Sequence, residues 1–305
     1  MKKGHCTRDA VNREDSGTPW RPLGRERPAA AARGRLRTTT PIVVGALVFL
    51  LFTHARATAE EPSTTELAKQ TQNPVADLIS VPFQNNFNFG AGTDRKMVWT
   101  MDFQPVIPIT LNEDWNLITR TIVPIINQPS LAPGMDSAFG MGDINPSVFL
   151  SPAKDRGLIW GVGLTTTLPT ATEAEIGSGK WSLGPTAVGL LIEGPWVVGA
   201  LINQQWSVAG WSSRDVDQML IQPFINYNIA NGWYITSAPI ITGNFAASGG
   251  NHWTLPVGAG IGKLWRIGKV GLPLNTQIVP FYNAVTPDFG PDWQLRFQFQ
   301  FLFPR

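Results

Sequence analysis

The chain of 305 residues carries 24 Lys and Arg residues against 22 Asp and Glu residues, a formal net charge of +2. The charges are unevenly distributed: residues 1–59 hold 11 basic and 4 acidic residues, whereas residues 60–305 hold 13 basic and 18 acidic ones, a net charge of −5. The basic excess therefore belongs to the front segment, and no nucleic-acid partner is expected. Cys6, the only cysteine, also lies there, which excludes disulfides, thiolate nucleophiles and cysteine-ligated metals from the rest of the chain.

The front segment has the layout of a secretory signal peptide. The basic stretch RGRLRTTT precedes the apolar run PIVVGALVFLLF at 41–52, and the small residues of ARATA follow it. The apolar run is too short to span a bilayer as a helix. The pattern predicts export and cleavage after Ala57 or Ala59, so that residues 1–59 are removed. The long region ahead of the apolar run indicates a mis-assigned start codon. The alternative to a cleaved signal peptide is an N-terminal helix that anchors the protein in the membrane.

Residues 60–80 contain the helix signals of the exported chain. Ser63 or Thr64 can cap a helix, Glu66 would lie in its first turn, and Pro74 interrupts the pattern. We expect a short helical segment in the periplasm, and it is a candidate plug for the periplasmic mouth of the domain that follows.

Residues 81–305 consist of short β-type runs separated by Gly, Pro, Asn and Asp. The predicted strands are 82–90, 96–109, 114–127, 142–151, 157–168, 180–192, 195–207, 217–229, 232–242, 252–265, 268–282 and 292–303. Short connections such as EGP and ANG alternate with long ones such as QPSLAPGMDSAFGMG. This alternation is typical of outer-membrane barrels, in which the short turns and both termini are periplasmic. We predict an all-β fold, a closed antiparallel transmembrane barrel of about 12 strands.

The last predicted strand has two chemically distinct faces. In DWQLRFQFQFLFPR, every second residue from Trp293 to Phe303 is apolar, and amides or an arginine occupy most positions between them. In lipid, backbone polar groups must pair internally, so the strands must close into a barrel with the aromatic face toward acyl chains and the polar face toward the lumen. The residues predicted in this way to line the lumen are Asp102, Gln104, Arg120, Asn203, Gln222, Asn226, Gln277, Arg296, Gln298 and Gln300.

Tryptophan positions support a membrane location. Trp rings favour membrane–water interfaces, because the ring is apolar and its N–H group needs a partner. Beside the short turns lie Trp115, Trp160, Trp196, Trp233 and Trp265, and beside the long loops lie Trp99, Trp181, Trp206, Trp253 and Trp293. We predict that these ten residues form two aromatic girdles. The alternative at the level of the fold is a soluble periplasmic β-sandwich with Trp in its core.

Prolines inside the predicted strands conflict with an uninterrupted ladder, because proline has no N–H group to donate. They are Pro105, Pro124, Pro223, Pro239, Pro256 and Pro280. A closed barrel has no edge strand that could hold them, so we expect bulges or bends at these positions.

Four stretches resemble a group of bacterial proteins that often carry the misleading label neuromedin U, or simply transporter. They are GSGKWSLGPTAV, QPFINYNIANGWYITSAPIITGNF, WTLPVGAGIGKLW and GPDWQLRFQFQFLFP. The chain is more distantly similar to the outer-membrane family named for the MetA pathway of phenol degradation. The resemblance runs from NPVADLISVPFQNNFNFG to the end and implies an outer-membrane barrel. Outer-membrane strands commonly finish on an aromatic residue, whereas here Pro304 and Arg305 follow Phe303.

Catalytic and cofactor signals are weak. VGAGIG and GSGKW lack the spacing of dinucleotide and phosphate-binding loops, so no cofactor is expected. His252 is the sole histidine after the signal peptide, and an outer-membrane phospholipase would need a nucleophile beside it. The nearest hydroxyl groups belong to Thr254 and Ser248, and neither has a group to orient it. We therefore expect no enzyme activity and no metal site.

The predicted function is that of a passive channel or transporter for small solutes, apolar or aromatic ones among them. One alternative is a structural barrel whose lumen is filled and braced by Asp102, Arg120 and Arg296, and a second is an outer-membrane lipid-modifying enzyme. The expected partners are outer-membrane lipids, the barrel-assembly machinery through the C-terminal strand, and a small solute that the sequence does not identify.

Overall fold

The computed structural model describes residues 63–154, 157–247, 252–268 and 271–303. The predicted signal peptide, Ser248 and residues 304–305 lie outside this described part. Its one α-helix is α1 (Thr64–Thr71), and no helix within it is long and apolar enough to cross a membrane. Its strand segments are β1 (Ile79–Ala91), β2 (Lys96–Phe103), β3 (Val106–Thr110), β4 (Trp115–Gln128), β5 (Ala138–Met141), β6 (Asn145–Pro152), β7 (Leu158–Thr167), β8 (Lys180–Glu193), β9 (Trp196–Gly210), β10 (Asp217–Asn228), β11 (Trp233–Ser237), β12 (Ile241–Asn244), β13 (Trp253–Val257), β14 (Gly260–Ile267), β15 (Leu272–Val285) and β16 (Trp293–Phe303).

The segments form a closed antiparallel β-barrel of twelve strands, which confirms the predicted fold. Most barrel strands are a single segment, and four are interrupted once each, between β2 and β3, β5 and β6, β11 and β12, and β13 and β14. The barrel closes where β1 pairs with β16, in one register from Ile79 opposite Phe303 to Phe89 opposite Trp293. Closure leaves no free sheet edge, which is the arrangement that strands require in lipid.

The connections differ in length between the two ends of the barrel. At one end, the short-turn end, the strands are joined by 111–114, 153–157, 194–195, 229–232 and 268–271. At the other, the long-loop end, the connections are 92–95, 129–137, 168–179, 211–216, 245–252 and 286–292. The tightest hairpin joins β8 to β9 through Gly194 and Pro195. Gly194 has a φ of 53°, a conformation that other residues adopt only with strain.

Helix α1 begins where the sequence predicts. The Ser63 hydroxyl accepts a hydrogen bond from the backbone N–H of Glu66 at 3.1 Å, and Glu66 pairs with Lys69 one turn on. A side-chain oxygen at this position satisfies one of the N–H groups that the first turn leaves unpaired. Ser63 is therefore the cap, and α1 ends at Thr71, before Pro74.

Prolines lie at the interruptions of the barrel strands. Pro105 lies between β2 and β3, Pro239 lies between β11 and β12, and the ladder register shifts at Pro256. The bulges or bends predicted at these three positions are confirmed, and there the missing N–H group of proline removes a hydrogen bond from the ladder.

The other three prolines lie within continuous strands, where the predicted bulge was wrong. Each lies opposite the break of a neighbouring strand: Pro124 opposite 142–144, Pro223 opposite 238–240 and Pro280 opposite 258–259. The carbonyl of Pro124 still accepts a hydrogen bond from the Gly142 N–H at 2.9 Å. The nitrogen of a strand residue points to the same side as its carbonyl, so the missing donor of Pro124 faces the break rather than an intact ladder.

Candidate functional site

The interior of the barrel is the candidate site, because inward and outward side chains alternate along each strand. The structure places the ten residues predicted to line the lumen on the inward side, between neighbours that face outward. In β9, for example, Asn203 lies between the outward-facing Ile202 and Gln204, and in β15 Gln277 lies between Thr276 and Ile278. The role of these residues toward a solute stays a prediction.

One polar network centres on Arg296 of β16, whose side chain is only 2% exposed. Its Nε donates to Asn86 Oδ1 at 3.2 Å, and its Nη1 donates to the backbone carbonyl of Ala238 at 2.8 Å. Ala238 lies in the break between β11 and β12. Arg296 therefore bonds to a barrel strand that is not adjacent to β16, whose neighbours are β1 and β15. Asn86 in turn donates from Nδ2 to Asp102 Oδ2 at 3.1 Å. The Arg296 guanidinium also lies 4.9 Å from the centre of the Phe281 ring.

A second network runs through neutral amides on the neighbouring strands. Gln277 Nε2 donates to Gln298 Oε1 at 3.1 Å, and Gln298 Nε2 donates to Gln300 Oε1 at 3.4 Å. Asn275 Nδ2 donates to the same Gln300 oxygen at 3.4 Å, and the Tyr234 hydroxyl donates to Asn275 Oδ1 at 2.8 Å. Polar groups removed from water thus find partners in one another.

The opposite half of the interior, called the apolar half below, contains a buried apolar cluster among polar side chains such as Asn203 and Thr165, and the strand pattern did not predict this cluster. A cluster of buried residues projects inward there, and it consists of Ile118, Phe149, Val188, Leu190, Val197, Leu201 and Phe224, together with Val75. The signal was present in the sequence, because TAVGLLIE in β8 and WVVGALIN in β9 are apolar at nearly every position. A strand of a membrane barrel that is apolar on both faces directs apolar side chains inward as well as outward. The lumen is therefore polar on one side, whereas the other side combines polar residues with an apolar cluster.

The segment ahead of β1 packs against inward-facing side chains. Leu67 and Ala68 of α1 are buried with Leu78, Tyr234, Leu264 and Leu302 near the short-turn end. Further along, Val75 joins the apolar cluster of the opposite half. Two amides fix the turn between them, since Gln72 and Asn228 exchange hydrogen bonds of 2.9 and 3.0 Å.

A cavity of about 150 Å³ remains between this segment and the barrel wall. The wall contributes Arg120, Gln104, Gln222 and Gln300 to its lining, and the N-terminal segment contributes Asn73 among others. Arg120 donates from Nη2 to Gln104 Oε1 at 2.6 Å. The cavity is therefore polar at Arg120 and enclosed in part by residues that precede the barrel.

At the long-loop end, the connection 168–179 folds back onto the wall. Asp143, in the break between β5 and β6, accepts hydrogen bonds from the backbone N–H of Ala171 at 3.0 Å and of Ser178 at 2.7 Å, and from the Ser178 hydroxyl at 2.6 Å. Beside this loop lies a second cavity of about 300 Å³, which Trp211 borders. Trp211 is not among the predicted girdle residues, because it lies in a loop and not at a strand end.

The ten predicted girdle residues lie on the outward side of the wall, near the strand ends. At the short-turn end, the Trp115 and Trp160 rings contact edge to face, with their centres 6.0 Å apart. Lys263, also outward, lies 4.6 Å from the Trp233 ring and 4.0 Å from the Trp265 ring. The position of these rings relative to a bilayer stays a prediction.

His252 lies at the start of β13, and its Nδ1 is 2.9 Å from the Asn244 carbonyl. Its ring also lies 6.4 Å from that of Phe245. No hydrogen bond from a side-chain hydroxyl to this ring is found among the described residues. In the same part of the chain, no group of three or more His, Cys, Asp or Glu residues is arranged to hold a metal ion.

A closed antiparallel barrel with a partly polar interior is typical of outer-membrane proteins. Solved structures of outer-membrane barrels resemble this protein. The COG4313 outer membrane channel from Pseudomonas putida F1 aligns with a TM-score of 0.55 and 14% identity, over 74% of this chain and 94% of that one. The outer membrane phospholipase A of Salmonella typhi aligns over 81% and 99% with 15% identity but a TM-score of only 0.39. The first likeness supports the fold.

Comparisons at the level of sequence give no such match. No family model matches the chain, and no curated protein matches it either. The resemblance to the group labelled neuromedin U and to the phenol-degradation family therefore stays a prediction.

Proposed function

We propose that this protein is exported to the bacterial outer membrane and acts there as a passive channel for small solutes. The observation that carries the proposal is the lumen, where polar side chains surround a cavity while the outer wall presents aliphatic and aromatic side chains. An apolar exterior suits hydrocarbon, and a polar interior suits water and solutes. The apolar half of the interior would suit solutes with an apolar or aromatic part.

In this proposal residues 60–80 are the plug that closes the periplasmic mouth. The contacts of Leu67 and Ala68 near the short-turn end, and of Val75 deeper inside, support this role. Passage of a solute would require the segment to move, because its side chains occupy the interior beside the cavity. The short turns would then be periplasmic, and β16 would be the strand presented to the barrel-assembly machinery.

A disulfide that locks the plug tests both parts of the proposal. A Cβ atom built on Gly161 lies 3.2 Å from Val75 Cγ1, a separation that suits a disulfide between cysteines at the two positions. We expect the oxidised Val75→Cys/Gly161→Cys variant to show little conductance in a planar bilayer, and we expect reductant to restore it. Cys6 is the only native cysteine, and the two single variants serve as controls. A conductance that reductant does not change would contradict the plug.

The structural barrel with a filled lumen is the second candidate function. Arg296 favours it, because this side chain joins β16 to a carbonyl beyond the neighbouring strands and braces the wall from inside. The same bilayer experiment separates the two candidates. Silence of the wild-type protein and of the reduced variant at all voltages would favour the structural barrel over the channel.

We propose no catalytic role for His252. An outer-membrane lipid hydrolase would need a nucleophile that the imidazole can deprotonate. Release of fatty acid by the purified protein, abolished by His252→Ala, would contradict this view and revive the enzyme alternative.

A further inference from the structure

Arg120 is the one charged residue among the described residues that line the 150 Å³ cavity. Its hydrogen bond to Gln104 Oε1, at 2.6 Å, goes to a neutral acceptor and not to a carboxylate. The side chain is partly exposed, and the cavity is the space that it borders. A guanidinium group presents five N–H donors in a planar fork, so further donors remain available.

The charges near the centre of the barrel do not cancel. Arg120 and Arg296 both interact electrostatically with Asp102. Arg296 is fully buried and bonded to Asn86 and to the Ala238 carbonyl, so it offers nothing to the cavity. Two cations against one carboxylate leave one positive charge in excess, and Arg120 is the one of these two cations that borders the cavity. A charge held away from bulk water is costly unless it has a partner.

Two of the amides that line the cavity, Gln104 and Gln300, have their oxygens engaged, whereas Gln84 and Gln298 use their NH₂ groups in bonds to Asn86 and Gln300. The oxygen of Gln104 accepts from Arg120, and the oxygen of Gln300 accepts from both Gln298 and Asn275. An amide whose oxygen is engaged has its NH₂ group left for another acceptor. A cation together with amide N–H donors is the complement of a carboxylate, which accepts hydrogen bonds at both of its oxygens.

The rest of the lining suits an apolar group. Val106 and Leu201 border the same cavity from the apolar half of the interior, and Leu78 borders it from the segment that precedes β1. We propose that the cavity binds a small organic monocarboxylate, with the carboxylate at Arg120 and an apolar or aromatic body against these three side chains. The idea that such a ligand is a solute in transit rests on the proposed channel function, whereas the binding site itself does not.

Equilibrium dialysis of the full detergent-solubilised barrel tests the site, with radiolabelled benzoate and benzamide as probes. The two molecules have nearly the same shape and differ in charge, and empty micelles correct for partition into detergent. We expect the wild-type protein to bind benzoate at least about tenfold more tightly than benzamide, because hydrogen bonds to a charged group stabilise that much. Arg120→Gln is expected to lose this preference, and Arg214→Gln, which alters an exposed loop arginine, is expected to keep it.

Equal binding of the two probes to the wild-type protein would overturn the proposal, as would a folded Arg120→Gln variant that keeps the preference. The wild-type comparison decides the matter even if the variant fails to fold, which heat-shifted gel mobility would reveal. Dialysis requires no transport, so this result is independent of the bilayer experiment. A silent bilayer would contradict the channel and leave the binding site standing.

Discussion

Arg296 shows at the scale of one residue how this barrel stabilises a charge inside its wall. The guanidinium group binds an amide oxygen of Asn86 and a backbone carbonyl, and it lies over the Phe281 ring. The carbonyl is that of Ala238, in the break beside Pro239, where the strand ladder does not continue. The side chain thus supplies a donor where the interrupted backbone does not.

Replacement of Arg296 by Gln is expected to destabilise the barrel strongly. The shorter side chain cannot reach the Ala238 carbonyl and leaves Asp102 with less compensation, and we expect a loss of about 3 kcal/mol in the free energy of unfolding. Urea unfolding in lipid vesicles measures this quantity.

The matched control is Arg95→Gln. Arg95 pairs with Asp292 at the long-loop end, but it is 68% exposed. Pairs of that kind contribute at most about 1 kcal/mol. Equal losses for the two variants would contradict the bracing role of Arg296.

At the scale of the element, the turns illustrate a different constraint. Gly194 in the β8–β9 hairpin has a positive φ, whereas Gly189 within β8 has ordinary strand geometry and open space where a Cβ would lie. Gly194→Ala is expected to cost about 1 kcal/mol in unfolding free energy, because a Cβ is strained in the left-handed conformation. Gly189→Ala should lie within about 0.5 kcal/mol of the wild-type protein. A Gly194→Ala barrel as stable as the Gly189→Ala one would contradict the turn geometry.

Strand number and facing were predictable from the sequence because the period of two is strong where one face is apolar and the other is polar. The strand predicted at 268–282 was displaced, however, since Gly268 and Gly271 both have positive φ and the strand begins only at Leu272. The first strand begins at Ile79, three residues earlier than predicted, because its partner on β16 extends to Phe303.

The apolar half of the interior was not predictable by the same rule. Val188 and Leu190 alternate with residues that are equally apolar, so the pattern does not distinguish the inward face. The packing of Val75 against the apolar cluster was not predictable either, because it joins residues that are distant in sequence. Irregularity was predicted correctly where a proline lies at an interruption of its own strand. The sequence does not show that the other prolines lie opposite an interruption of the neighbouring strand.

At the scale of the whole molecule, a closed wall of strands surrounds an interior that is only partly filled. Backbone hydrogen bonds between neighbouring strands form the wall, and the N-terminal segment and the apolar cluster occupy part of the interior. The proposed plug and the proposed carboxylate site both depend on one premise, which is that hydrocarbon surrounds the aromatic face while the amide face is directed inward.

A spin-label scan along β16 tests this premise most directly. Single cysteines at Phe297, Gln298, Phe299, Gln300 and Phe301 would each carry a nitroxide label in the barrel reconstituted into lipid vesicles. We expect high accessibility to oxygen, which concentrates in the bilayer, at 297, 299 and 301, and low accessibility at 298 and 300. Accessibility that does not alternate, or that is greater at the two glutamine positions, would contradict the account.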